Sequence, residues 1–135
     1  MRNIRKVLIV DDEPEFADAC CRTFETGRYQ VLKAADKSQA LKMMTVHPDV
    51  VVLGTLTPAG EAFSLQQWIK QHPVYRNVPV VVVDAEHYER RWKGWRLFEG
   101  LLSEADEYMS KPLDSGALLP IVNNLMASSR VLARV

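Results

Sequence analysis

The chain has 135 residues, 47% apolar and 25% charged, the make-up of one globular domain with room for a core. Its 17 basic residues balance 17 acidic ones, so neither nucleic acid nor a membrane surface is expected to bind through bulk charge. No apolar run nears membrane-spanning length, and Asp11-Asp12 cut short the apolar segment behind the basic N-terminus; no signal peptide is expected, and the cytoplasm is the default compartment.

Lys6-Val7-Leu8-Ile9-Val10 reads as a buried strand ending at Asp11-Asp12. Glu13 and Pro14 open a helix with an apolar stripe of Phe16, Ala19/Cys20 and Phe24, and Gly27 is a natural residue to end it. Cys20 and Cys21 are adjacent, a poor disulfide pair; one buried and one partly exposed thiol are expected. A short strand follows over 29–34, then a helix capped by Asp36 or Ser38 that stops before His47-Pro48. Val50-Val51-Val52-Leu53 is an unbroken apolar run, the mark of a strand buried on both faces, and Gly54 stands at its carboxyl end. After the Pro58–Gly60 loop, Ala62, Leu65, Trp68 and Ile69 repeat at helical spacing until His72-Pro73.

Val80-Val81-Val82-Val83 is a further buried strand, ending at Asp84-Ala85. Residues 87–102 read as a helix, Glu107-Tyr108-Met109 as a last strand, and the region of Leu118 to Ala127 as a last helix. Pro120 requires that helix either to start near Leu119 or to kink. Five strands alternating with five helices imply a doubly wound parallel sheet covered on both faces. The domain is placed at 1–127, with 128–135 a tail that extends the helix or begins a linker.

In such a sheet, chemistry gathers outside the carboxyl ends of the strands. Those ends supply Asp11 and Asp12, Gly54, Asp84 and Lys111. Like charges at about 4 Å repel by about 4 kcal/mol at an effective dielectric near 20, so the carboxylates call for a cation, either lysine or Mg²⁺. The plain alternative is a solvated, charged loop edge. His47, His72 and His87 show no metal spacing, and no P-loop, G-x-G-x-x-G or nucleophile elbow is present. No enzymatic activity is expected.

Three stretches resemble the response-regulator receiver domains of the CheY-like family. They are Val7-Leu8-Ile9-Val10-Asp11-Asp12-Glu13-Pro14, then Pro48-Asp49-Val50-Val51-Val52-Leu53 with Thr57-Pro58 and Gly60, then Ala105-Asp106-Glu107-Tyr108-Met109-Ser110-Lys111-Pro112. The resemblance covers nearly the whole chain and implies a flavodoxin-like, three-layer α/β/α fold with strand order 2-1-3-4-5. In that family a histidine kinase donates a phosphoryl group to an aspartate at the end of the third strand. Asp11 and Asp12 fall on the acidic pair that holds Mg²⁺, and the backbone carbonyl of Leu56 on a further metal contact. Lys111 matches the lysine that pairs with the phosphoryl group, and Tyr108 the switch aromatic.

Two positions depart from the pattern: Gly54 stands where the phospho-acceptor should be, and Asp84 replaces a Ser/Thr. Glycine has no nucleophile, and Asp84 would face a phosphoryl group with like charge. The chain therefore reads as a pseudo-receiver, a phosphorylation-independent protein-interaction module of two-component phosphorelay signalling. Asp84 is expected to take over pairing with Lys111. No cofactor is required, and any Mg²⁺ held by Asp11, Asp12 and Asp84 is expected to bind weakly. The alternatives are phosphorylation at a relocated acceptor, Asp84 first, or a role as the regulatory domain of a longer regulator.

The stretch from His87 to Phe98 offers a candidate interface: Tyr88, Trp92 and Trp95 on one helical face, with Arg91 and Arg96 among the basic residues around them. The alternative is that one tryptophan packs on the sheet beneath arginine stems. The expected partner is a protein, either sensor kinase or output protein, with a homodimer through the fourth helix, last strand and last helix as a further arrangement. No nucleic-acid or membrane partner is expected.

Overall fold

The apolar runs become the strands of one five-stranded parallel sheet, ordered β2-β1-β3-β4-β5. In the computed structural model, which describes residues 4–86 and 94–134, β1 is Lys6–Val10, β2 Gln30–Ala34, β3 Val50–Leu53, β4 Val80–Asp84 and β5 Glu107–Ser110. The helices are α1 (Pro14–Thr26), α2 (Lys37–Met44), α3 (Glu61–Gln71), α4 (Leu97–Leu101) and α5 (Leu118–Arg134), the last preceded by a 3-10 turn over Ser115–Ala117.

Side chains of a strand alternate between the sheet's faces, and two cores result. Val7, Ile9, Val50, Val52, Val81 and Val83 pack against α1 and α5 through Cys20, Phe24, Leu118 and Val122. Leu8, Val10, Val51, Leu53, Val80 and Val82 pack on the other face, against α2 and α3 through Met44, Leu65 and Ile69. Burying each such side chain contributes roughly 1.5–3 kcal/mol.

Several local readings hold. Pro14 opens α1, and the Asp36 carboxylate caps α2 by accepting from the Gln39 amide at 2.8 Å. Cys20 is buried and Cys21 partly exposed, both as free thiols. Pro120 is the third residue of α5, within the first turn, where its missing N–H has no helical partner to lose. The tail continues α5 to Arg134.

Gly27 ends α1 as expected, at φ −79°, and the left-handed conformation falls on Arg28 at φ 71°. A Cβ on Gly27 would lie 2.6 Å from Leu119 Cδ1, so the leucine side chain would have to move. The long helix expected over 87–102 is not what forms. Residues 87–93 lie outside the described residues, Gly94 to Arg96 are not helical, and α4 has 5 residues. No helix among the described residues is long and apolar enough to cross a membrane.

Candidate functional site

β1 and β3 are neighbours while β2 lies to the other side of β1, so the crevice at their carboxyl ends is the topological switch point. Val10 pairs with Leu53, the Gly54 amide donates to the Val10 carbonyl at 2.7 Å, and the Asp12 amide donates to the Thr55 carbonyl at 2.9 Å. Alternation carries Asp11 and position 54 onto the α1/α5 face, after Ile9 and Val52. Gly54 offers no side chain there, and Asp11 fills the space. A Cβ built at Gly54 would lie 1.8 Å from Asp11 Oδ2 and 2.7 Å from its Cγ.

Lys111 reaches the same face, two residues after Met109, which packs against the α1/α5 core. Its ammonium lies 2.8 Å from Asp11 Oδ2, 2.6 Å from Glu13 Oε1 and 4.6 Å from the centre of the Phe16 ring. Asp11 is held at both oxygens: Oδ1 accepts from the Glu13 amide at 2.7 Å, and Oδ2 also accepts from the Thr55 amide at 3.3 Å. Burial pushes the Asp11 carboxyl above its ordinary range, and the Lys111 ammonium draws it only part of the way back. The nearby Cys20 thiol is pushed up to about 12 by burial, with the Asp11 charge adding to the effect.

Asp12 accepts from the hydroxyls of Thr55, at 3.3 Å, and Thr57. Leu56, between those threonines, buries its side chain in the α2/α3 core. Among the described residues, no group of three or more His, Cys, Asp or Glu is arranged to hold a metal ion.

Asp84 belongs to the opposite face. It follows the parity of Val80 and Val82, which point toward α2 and α3. Its carboxylate is fully buried: Oδ1 accepts from the Ala85 amide at 2.7 Å and the Trp95 amide at 2.8 Å, and Oδ2 accepts from the Tyr108 hydroxyl. Lys111 therefore pairs with Asp11 and Glu13, not with Asp84 as expected; its only link to Asp84 among these hydrogen bonds is backbone, its amide donating to the Asp84 carbonyl at 2.9 Å. Strand parity is the reason, because residues 84 and 111 leave the sheet on different faces.

Trp95 also needs correction. It is not an exposed interface residue but part of the α2/α3 core, 4% exposed, in line with the alternative that one tryptophan packs on the sheet, and its indole N–H donates to the Gly54 carbonyl at 3.3 Å. Its ring meets Phe63 and Tyr108 edge-on at 5.9 and 6.2 Å between centres. Arg96 is exposed, with its guanidinium 3.6 Å from the buried Glu99 carboxylate. Tyr88, Arg91 and Trp92 lie outside the described residues. The exposed apolar side chains nearby are Phe98, Leu101 and Leu102, and Tyr108 is 40% exposed.

Sequence reasoning missed Glu13, read only as a helix opener, and the role of Trp95. Glu13 was within reach of inference, since it begins α1 directly above the α1/α5 face that Lys111 shares.

Comparison with known proteins agrees with this geometry. The model of the response regulator receiver domain family matches residues 7–123. The phosphate regulon transcriptional regulatory protein PhoB of Escherichia coli is 26% identical over 123 residues, 90% of this chain and 52% of that protein. The DNA-binding dual master transcriptional regulator RpaA of Synechocystis is 28% identical over 123 residues, 90% of this chain and 48% of its own length. The chain thus spans about half the length of these curated relatives. Among solved structures, the Francisella response regulator 1452 receiver domain superposes with a TM-score of 0.75 at 27% identity, covering 93% of this chain and 98% of that one. The chemotaxis response regulator CheY4 of Vibrio cholerae shares the fold, with a TM-score of 0.74 at 22% identity over 91% and 99% of the two chains. The family match takes in every strand and the first turns of α5: the chain belongs to the response regulator receiver domain family.

Proposed function

We propose that this receiver domain works without phosphotransfer at the end of β3 and acts in two-component signalling as a protein-binding module. One observation carries the reading. Position 54 has no nucleophile, and the space a side chain would enter there is filled by the Asp11 carboxylate, which Lys111 clamps. The lysine that would meet an incoming phosphoryl group already has anionic partners.

Binding then falls to the surface. Phe98, Leu101, Leu102 and Tyr108 form exposed apolar area on α4 and β5, the kind of surface a protein partner covers. Trp95 supports this surface from below by packing against Tyr108. A sensor kinase, an output protein or a second copy of the chain are the partner classes that fit a receiver domain.

Phosphorylation at Asp84 is disfavoured by its surroundings. Its carboxylate is fully buried and accepts donors from Ala85, Trp95 and Tyr108. Intact mass after incubation with acetyl phosphate and Mg²⁺ tests both readings. The module reading expects no added phosphoryl group; an added group that disappears in Asp84→Asn would replace it with a relocated acceptor.

A further inference from the structure

The carboxylates at the end of β1 need a cation, and Mg²⁺ is the one the family implies. The residues present fit it poorly. Mg²⁺ asks for near-ideal octahedral oxygen coordination and dehydrates reluctantly. Here β3 contributes no carboxylate, because residue 54 is glycine. Asp84 is turned to Trp95 and Tyr108 on the other face of the sheet. The two oxygens of Asp12 accept the Thr55 and Thr57 hydroxyls. Asp11 accepts the Glu13 amide on one oxygen and Lys111 on the other.

The ammonium of Lys111, by contrast, is well provided for. It sits between Asp11 Oδ2 at 2.8 Å and Glu13 Oε1 at 2.6 Å, with its side chain only 8% exposed. The face of Phe16 lies 4.6 Å away, a favourable place for a cation. Gly54 makes this arrangement possible, since any side chain at 54 would collide with the oxygen that Lys111 holds.

We propose that the Lys111 ammonium is the resident cation of this pocket, with Asp11 and Glu13 as its fixed partners, and that it keeps Mg²⁺ out. The inference shares its pocket with the proposed function but is measured without a phosphodonor, so either can fail while the other stands.

The test is a titration of the whole chain with Mg²⁺ and, separately, with paramagnetic Mn²⁺, followed in amide NMR spectra at Asp11, Asp12 and Thr55. The wild type is expected to show no saturable shift or line broadening at millimolar metal. Lys111→Met, which removes the ammonium from between Asp11 and Glu13, is expected to gain saturable Mn²⁺ binding at least tenfold tighter than any wild-type effect. Saturable wild-type binding at these amides would overturn the proposal, and so would a folded Lys111→Met that gains none. A second measurement needs no variant. The Lys111 Nζ protons of a buried, doubly paired ammonium are expected to exchange slowly with water and to be unchanged by Mg²⁺; fast exchange, or loss of the signal on adding Mg²⁺, would also overturn it.

Discussion

Asp11 stands where the side chain of residue 54 would be: its Oδ2 lies 1.8 Å from the point a Cβ on Gly54 would occupy. The two positions are neighbours across the β1–β3 ladder, one residue beyond the Val10–Leu53 pair. A glycine on one strand and an inward carboxylate on the other are thus complementary. Gly54 leaves no hole, because the neighbouring strand's Asp11 side chain and the Lys111 ammonium fill the space.

Placing a side chain at position 54 should therefore cost stability. In Gly54→Asp the new side chain displaces Asp11 from Lys111 and from the Thr55 amide. Overpacking of this kind destabilises by about 1–3 kcal/mol, read as a lower urea midpoint at unchanged slope. Adding Asp11→Ala to Gly54→Asp should recover most of the loss. A Gly54→Asp protein as stable as the wild type would show that Asp11 yields freely.

Asp84 and Tyr108 should behave as a coupled pair. The Tyr108 hydroxyl donates to the buried Asp84 carboxylate, which also holds the Trp95 amide. Tyr108→Phe and Asp84→Asn each remove part of one network, so their effects should not add. A double-mutant cycle is expected to return a coupling of about 1–2 kcal/mol. Both variants should also shift the Trp95 amide resonance. Additive effects would mean that the hydroxyl and the carboxylate act independently.

Asp11 gives a pH signature. Burial raises its carboxyl above the ordinary value of 3.8, so the folded chain holds that proton more tightly than the unfolded chain does. The contribution is fully present below about 3.8 and is lost as pH rises through the folded value. Relative to wild type, Asp11→Asn should therefore gain stability as pH rises through that window. Urea midpoints of the two proteins across the acid range check the sign, and a constant difference would contradict it.

The thiols should be slow to react. Cys20 is fully buried with its thiol pushed up to about 12, and burial raises Cys21 as well. The thiolate is the reactive form. In mildly alkaline buffer, a thiol reagent should label Cys21 slowly and Cys20 only after denaturation. Rapid native labelling of Cys20 would mean that α1 opens away from the sheet.

Much of this architecture was legible in the sequence, because valine runs bounded by Asp, Gly and Pro admit few readings other than buried parallel strands. The acidic pair, Gly54, Lys111 and the departure at Asp84 were legible too. What escaped was the side of the sheet each residue takes. In the sequence Asp84 and Lys111 share the carboxyl edge of the sheet, but strand alternation sends Asp84 with Val82 and Lys111 with Met109. The place of Trp95 is hidden for a related reason. Its spacing suits an amphipathic helix, but its amide is used by the Asp84 carboxylate across the chain instead of by a helical carbonyl. A local pattern does not reveal a tertiary acceptor of that kind.

In the proposed reading the α4–β5 surface is set from within, by Asp84, Trp95 and Tyr108, and not by a phosphoryl group at β3. The most direct measurement is an amide NMR spectrum of the whole chain before and after acetyl phosphate with Mg²⁺. The resonances of Trp95, Phe98, Leu101 and Tyr108 are expected to stay in place. Movement of those resonances on addition of the phosphodonor, reversed when it is consumed, would contradict it.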